Sequence, residues 1–409
     1  MTQGANPANG NGMALEGLKI LDTSQLFAGA MPATLMGDFG AEVIKVEHPK
    51  NGDGLRTMGS FKDGLPLSWK FHSRNKKCIT LDLGNPQGAE ILKRLVKDTD
   101  ILIEGFRPGT MERWGLGYDE LKAVNPRLIM VRISGFGQTG PYKSRPGFGT
   151  LAEAMSGFAH ITGQPDGPPT LPPLALADGI AGLFGVFSAM FAVYYRDVVG
   201  TGIGQEIDVS LYEPMSFVLG AQPIAYDQLG LIQNRRGNRS GGGGPRNLYM
   251  CSDGNWVALS ASTPSIARRV MQLVGGDELA DDPRYATPAA RAENADEVDS
   301  LVADWISNYP REVVLEKFEE AQAAIGPVYD TSQFMEDPQV KARQSIVSVD
   351  DPDLGTVRMQ NAFPRMSETP GKINFTGPTN MGTHNHEIYI ERLGMSEDDV
   401  QRLKEEGII

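Results

Sequence analysis

The sequence predicts an α/β protein built on a mostly parallel sheet, and three observations lead there. Over about the first 210 positions, short apolar runs alternate with amphipathic stretches of ten or so residues, as strand–helix–strand units do. Turn and capping residues fall between those runs; Asn85-Pro86, for one, supplies an N-cap followed by a proline at the first helical position. The chain is 409 residues long, 40% hydrophobic and 22% charged, enough for two or three domains that each bury a core.

Taken in order, Lys19–Thr23 reads as a strand, Ala28–Phe39 as a helix and Glu42–Glu47 as a second strand. Ile79–Leu83 is a short strand, Gln87–Lys97 a helix, and Asp100–Glu104 and Leu128–Ser134 are further strands. Leu174–Tyr195 is the most apolar stretch and long enough to raise the question of a membrane span. Asp178, Gly179, Gly182 and Gly185 interrupt it, which points to a buried core helix. Gln205–Leu211 is a strand. After Tyr212 the character changes: a Gly/Arg/Asn-rich stretch, Ile232–Arg246, contains the run Gly241–Gly244. A strand, Asn255–Ser260, and helices at Ala295–Ser307 and Arg311–Ala323 then suggest a smaller α+β domain. From Thr331 come short strands and a last charged helix, Glu397–Glu405.

Composition excludes some functions. With 38 Lys+Arg against 51 Asp+Glu the net charge is −13, a poor match to nucleic acid or an anionic membrane. An anionic ligand must therefore meet a local basic patch or a helix N-terminus. Cys78 and Cys251 lack CxxC spacing, which fits a reducing, cytoplasmic compartment and no zinc site. Met1–Gly12 has neither a basic nor an apolar segment and reads as a frayed tail, not a secretory signal.

Several motifs invite a ligand and have simpler explanations. Gly135-Phe-Gly-Gln-Thr-Gly140 matches GxGxxG after a strand, but Pro141 follows and no helix opens, so it reads as a turn. Gly202-Ile-Gly204 is explained by a helix C-cap, and His384 with His386 by a loop rather than a metal pair. Arg74, Lys76 and Lys77 beside one strand, with Arg107 and Arg113 after another, could together hold phosphates. Ala177-Asp178-Gly179 is the most informative feature. Asp178 opens a long apolar helix, and on spacing alone it is the N-cap. The same position would also keep a carboxylate ionised and weakly hydrated, suited to attack an activated acyl group. The Gly241–Gly244 run is either a linker or a backbone that can approach a reacting acyl group closely.

These residues are where the chain resembles the family III CoA-transferases of the CaiB/BaiF type. The resemblance runs from about Leu15 to the C-terminus. It rests on Ala41–Glu47, Asn75-Lys76-Lys77, Phe106–Arg113, Ser134–Tyr142, Ala177–Tyr195 and the glycine run. It implies a Rossmann-like large domain (15–220, completed by 331–409), a smaller α+β domain inserted at 221–330 that carries the glycine loop, a tail at 1–14, and an interlocked homodimer. Asp178 would be the nucleophile, forming a mixed anhydride and then an aspartyl-CoA thioester, under a loop that includes Gly242, Gly243 and Gly244. Ala28, Leu81, Phe106 and Arg113 match CoA-contacting positions. Phe27, His48 and Arg145 join that candidate set, as do Arg74, Lys76 and Arg107 on grounds of charge. No tightly bound cofactor or metal is implied; acyl-CoA and a small carboxylic acid are the substrates, and neither nucleic acid nor membrane is a partner.

Departures bear on the substrate. The formyl-CoA:oxalate enzymes have Gln at the position of Phe27 and Tyr-Glu at Phe148-Gly149, and they have Arg at His48 and Lys at Gly84. Oxalate and formate are therefore not expected here, and a larger or less polar acid is. The alternative activity on this fold, α-methylacyl-CoA racemisation, needs a second acid–base group on the far face of Cα. The position that would supply its His is Phe148, which favours the transferase.

Overall fold

The computed structural model describes residues 12–239 and 243–409, and the chain forms two compact units. The first comprises the chain up to Phe158, Leu171–Pro223 and Arg343–Ile409; the second comprises Ala159–Thr170 and Ile224–Ala342.

In the first unit six strands pair in parallel: β1 (Lys19–Asp22), β2 (Glu42–Glu47), β3 (Lys76–Thr80), β4 (Ile101–Glu104), β5 (Ile129–Ser134) and β6 (Glu206–Ser210). Their order is β3-β2-β1-β4-β5-β6. The chain winds outward from β1 in one direction and then from β4 in the other. A crevice therefore opens between the carboxyl ends of β1 and β4, where such sheets bind ligands. The helices that matter are α1 (Leu26–Asp38), α2 (Pro86–Val96), α3 (Gly149–Met155), α4 (Leu176–Val193) and α5 (Glu397–Glu405). Side chains alternate across a strand, so each strand serves two cores. Ile20, Ile101, Ile103, Ile129 and Val131 pack with Ala33 and Met36 of α1 and Ala181 and Ala189 of α4. Leu21, Ile44, Leu102 and Met130 pack on the other face with Ile91, Leu92 and Leu95 of α2 and Leu403 of α5.

The second unit is built on an antiparallel sheet, with Trp256–Ser260 between Arg246–Met250 and Ile325–Pro327. Helices Pro264–Ala280, Ala295–Ile306 and Arg311–Glu320 close over Tyr249, Val257, Leu259, Val270, Val302 and Phe318.

The structure corrects four expectations. The third strand starts at Lys76 rather than Ile79, because Lys76 is wholly buried on Asp22. A hydropathy reading places such a lysine outside. The second unit runs to Ala342 and takes in Ala159–Thr170, beyond the expected 221–330, and the chain rejoins the first unit at Arg343 rather than 331. At the other end Met13 already packs where a Cβ on Gly40 would sit, two residues before the expected start; residues 1–11 of the expected tail lie outside the described residues. Finally, α4 is not a fully buried core helix. Leu176–Val198 is long and apolar enough to cross a membrane by length and composition, yet only 33% of its apolar window is buried. Its alanines and Gly185 face inward, while Leu183, Phe187 and Phe191 face out.

At the carboxyl end of the sheet four charges are buried together. Lys76 Nζ lies 2.9 Å from Asp22, and Lys45 Nζ lies 3.4 Å from Asp22 and 2.8 Å from Asp53. None of the four is more than 1% exposed. Burial alone would raise the Asp22 carboxyl, but Lys45 and Lys76 outweigh it and hold it below its ordinary 3.8. Removing one member strands the rest, so Asp22→Ala is expected to lower stability by about 3–5 kcal/mol, read as a lower urea midpoint. Because the folded value is depressed, this contribution is present above pH 3.8 and is lost as pH falls through the lower folded value.

Candidate active site

The loops leaving the strands at the switch point carry many of the candidate residues. β1 runs through Thr23 and Ser24 into the first turn of α1, which holds Phe27 and Ala28. Asp53 fixes that entry by accepting the Leu26 amide at 3.2 Å. His72 packs edge-on against Phe27, centroids 5.1 Å apart; burial and then Lys76 and Arg74 push His72 down to about 4, so it is neutral at pH 7. β4 ends at Glu104, which accepts the Phe106 amide at 2.6 Å and Arg132 Nε at 2.7 Å. Burial pushes Glu104 up to about 6 even though Arg132 opposes it. Glu104 thus holds the Phe106 loop, and Phe106 stacks edge-on against Trp114. Arg107 is exposed on this loop, and Arg113, also exposed, donates to Thr110 at 2.9 Å. His48 follows β2 and accepts the Lys50 amide; Leu81 follows β3 with its side chain buried in the core.

Two candidates are held elsewhere. Arg74 grips Asp38 through Nη2 at 2.7 Å and Nε at 3.1 Å, and Lys76 is bound to Asp22 and the Ala30 carbonyl. Both are buried and neutralised inside the fold, so neither presents a charge to a phosphate. Arg145 lies over the Tyr142 ring at 3.7 Å in an exposed loop after β5.

Asp178 sits in the first turn of α4 but does not cap it. The N-cap is Ala175, which has no side-chain acceptor. The cap expected of Asp178 comes instead from Glu153 of α3, whose buried carboxylate accepts the Ala177 amide at 3.2 Å. Nothing in local spacing marks Glu153, which is 25 positions before Asp178. The Asp178 carboxylate turns toward α3: a Cβ on Gly149 would lie 2.0 Å from its Oδ2, so only glycine fits there. Among the described residues Asp178 makes no ion pair, and burial, then the nearby Glu153, raise its carboxyl above the ordinary 3.8. Further along α4, a Cβ on Gly182 would come within 3.3 Å of the Ala28 carbonyl, so this helix lies directly against the start of α1. The glycines that interrupt the apolar stretch are thus contact points. Asp178 and the switch-point loop belong to one region of the first unit.

In the second unit, Gly241 and Gly242 lie outside the described residues. Gly243 has φ +72°, and a Cβ there would strike the Pro288 carbonyl at 2.1 Å. The Gly244 carbonyl accepts Arg291 Nε at 2.6 Å, an anchor that no sequence pattern announced. The remaining motifs have structural partners. Gly135–Gly140 forms a turn held by Gln138 N on Asp208 and Gly137 N on Ser134. Gly204 packs on the Leu128 carbonyl. His384 accepts the Cys78 amide at 3.0 Å, and His386 lies near Glu391 and Glu397.

Residues 15–385 match the family model of CoA-transferase family III. The succinyl-CoA–D-citramalate CoA-transferase of Chloroflexus aurantiacus is 43% identical over 97% of this chain and 98% of its own length. The formyl-CoA:oxalate CoA-transferase of Streptomyces avermitilis is 32% identical over 97% and 99%. Among solved structures, a CaiB/BaiF family protein from Brucella suis superposes with TM-score 0.82 at 32% identity, covering 93% of this chain and all of that one. The chain belongs to CoA-transferase family III and is a CoA-transferase.

Proposed function

We propose that CoA passes between carboxylic acids through covalent intermediates on Asp178. The observation that carries this is a half-buried carboxylate that makes no ion pair among the described residues, on the helix that packs against the start of α1. A weakly hydrated, uncompensated carboxylate is a better nucleophile than one in water. Asp178 attacks the donor thioester carbonyl, the C–S bond breaks, and a mixed anhydride and CoA thiolate result. The thiolate attacks the aspartyl carbonyl, releasing the donor acid and leaving an aspartyl-CoA thioester. The acceptor carboxylate attacks that thioester to form a second anhydride and free the thiolate again. Attack of the thiolate on the acceptor acyl carbon then yields the new acyl-CoA and restores Asp178. Phe27, Ala28, Phe106, Arg107 and Arg113 are the residues we assign to CoA. Phe148, 60% exposed at the start of α3, offers no group for proton transfer, which favours transfer over racemisation.

Donor and acceptor in this reading are dicarboxylic acids. Relatives are named for succinyl-CoA with citramalate or malate, and for succinate with glutarate. Such acids are larger than oxalate, in keeping with the expectation of a larger or less polar acid. The working form we propose is a homodimer of interlocked chains, with the second unit as an inserted domain. Support comes from the open side of α4: Leu183, Phe187 and Phe191 are 42–69% exposed, and Phe217 beside them is 74% exposed. A patch of this kind marks an interface. The opposite side of α4 packs on the sheet, which suits a second copy better than surrounding lipid. Buried, unpaired Cys78 and Cys251 are in keeping with a cytoplasmic location.

Asp178→Asn is expected to lower kcat by ~10³-fold or more and to remove a hydroxylamine-sensitive adduct formed with acyl-CoA. Deuterium exchange at Cα without CoA transfer would instead mean racemisation. Since the folded carboxyl is raised, kcat/KM should fall on the acid side with a midpoint above 3.8. The same shift means that stability falls as pH rises from 3.8 through the folded value, so Asp178→Asn should have a higher Tm than the parent at pH 7. Gly149→Ala should push the carboxylate aside, reducing kcat about a hundredfold while Tm and KM barely move. Phe187→Glu with Phe191→Glu should convert a sedimenting dimer to monomer; a parent that sediments as a monomer would refute the assembly.

A further inference from the structure

The second unit contains a cavity of about 280 Å³ whose wall holds five arginines, Arg235, Arg236, Arg239, Arg246 and Arg291, against one carboxylate, Asp299. That concentration of positive charge stands out in a chain of net charge −13. Arg239 is matched by Asp299 at 2.6 Å and Asp296 at 2.7 Å. The others have no carboxylate among the described residues. Arg235 donates to the Gly167 and His160 carbonyls, Arg246 donates to the Asn238 carbonyl, and Arg236 is exposed.

Arg291 is the decisive one. It is 1% exposed, donates Nε to the Gly244 carbonyl and Nη1 to the Tyr285 carbonyl at 2.8 Å, and leaves Nη2 buried without a partner. Its guanidinium is pushed down by burial, and no carboxylate opposes the shift. A buried cation with neither counter-charge nor a full set of acceptors is strongly unfavourable, so an anion is what the site lacks.

We infer that this cavity binds a small oxyanion, and that its ligand is a dicarboxylic acid. Guanidinium groups match carboxylate and phosphate oxygens in paired hydrogen bonds. The excess of cations suits a ligand with two negative charges. The cavity has room for a small dicarboxylate and for inorganic phosphate alike, so charge rather than size favours the doubly carboxylated ligand. The identity of the ligand as the acid substrate rests on the transferase reading; the oxyanion site itself does not.

Calorimetric titration of the full-length protein with succinate, butyrate and inorganic phosphate, in the absence of CoA, tests this. Saturable succinate binding is expected, with butyrate at least about tenfold weaker. Arg236→Gln with Arg246→Gln should weaken succinate about tenfold or more, and Arg291→Lys should do likewise. The first two positions are exposed, so that variant remains informative if Arg291→Lys misfolds. Tighter binding of phosphate than succinate, lost in the same variants, would overturn the dicarboxylate assignment. Binding of neither anion, or binding that these variants leave unchanged, would overturn the site. Assaying CoA transfer on the parent protein beside the titration separates the two readings: a parent that transfers CoA but binds no acid here refutes only the cavity, and one that binds acid without any transfer refutes only the chemistry.

Discussion

Asp22, Lys45, Lys76 and Asp53 form the buried ionic cluster on which the site region depends. Charges with almost no access to water persist only if they neutralise one another, so each position is dictated by the other three. The cluster joins the carboxyl end of β1 and the second half of β2 to Lys76, the first residue of β3, and reaches the Ala30 carbonyl in α1. Lys45 also donates to the Ser24 carbonyl, and Asp53 holds the Leu26 amide. The turn that presents Phe27 and Ala28 is therefore tied to the sheet by charge as well as by packing. Such a cluster contributes more to a single defined geometry than to net stability, since an apolar replacement of equal volume could be as stable.

Asp178 shows the same physics left unbalanced. Asp22, Asp38 and Asp53 are all buried against cations, whereas Asp178 is half-buried and, among the described residues, makes no ion pair and lies near Glu153. Its carboxylate occupies the space that the missing side chain of Gly149 leaves open. Glu153, from another helix, caps the first turn of α4 by accepting the Ala177 amide. Arg291 is the cationic counterpart in the second unit: it is buried, anchors Gly244 and has no carboxylate partner among the described residues. Groups whose burial the fold does not compensate are the ones with chemistry still to do.

How much could be read in advance follows the range of the interaction involved. Glu42–Glu47 and Glu397–Glu405 were legible to the residue, and Asn85 caps its helix through the Gln87 amide, because strand alternation and capping act over a few positions. Arg74 and Lys76, expected as phosphate ligands, instead pair inside the fold with Asp38 and Asp22, which are 36 and 54 positions away and so invisible to local spacing. Asp178 was legible as a special residue, but its local reading as an N-cap failed for the same reason. The true cap comes from another helix.

Local chemistry alone dictated the alternation of strands and helices and the helix at Asp178. Motif order placed the chain in its family. Tertiary structure alone decided which charges cancel and which remain exposed to a substrate. It also decided that α4 turns its small residues inward and its aromatic ones out, and that five arginines scattered from 235 to 291 share one cavity. The physical reason is that burial and Coulomb energy depend on distance in space. A sequence records only distance along the chain.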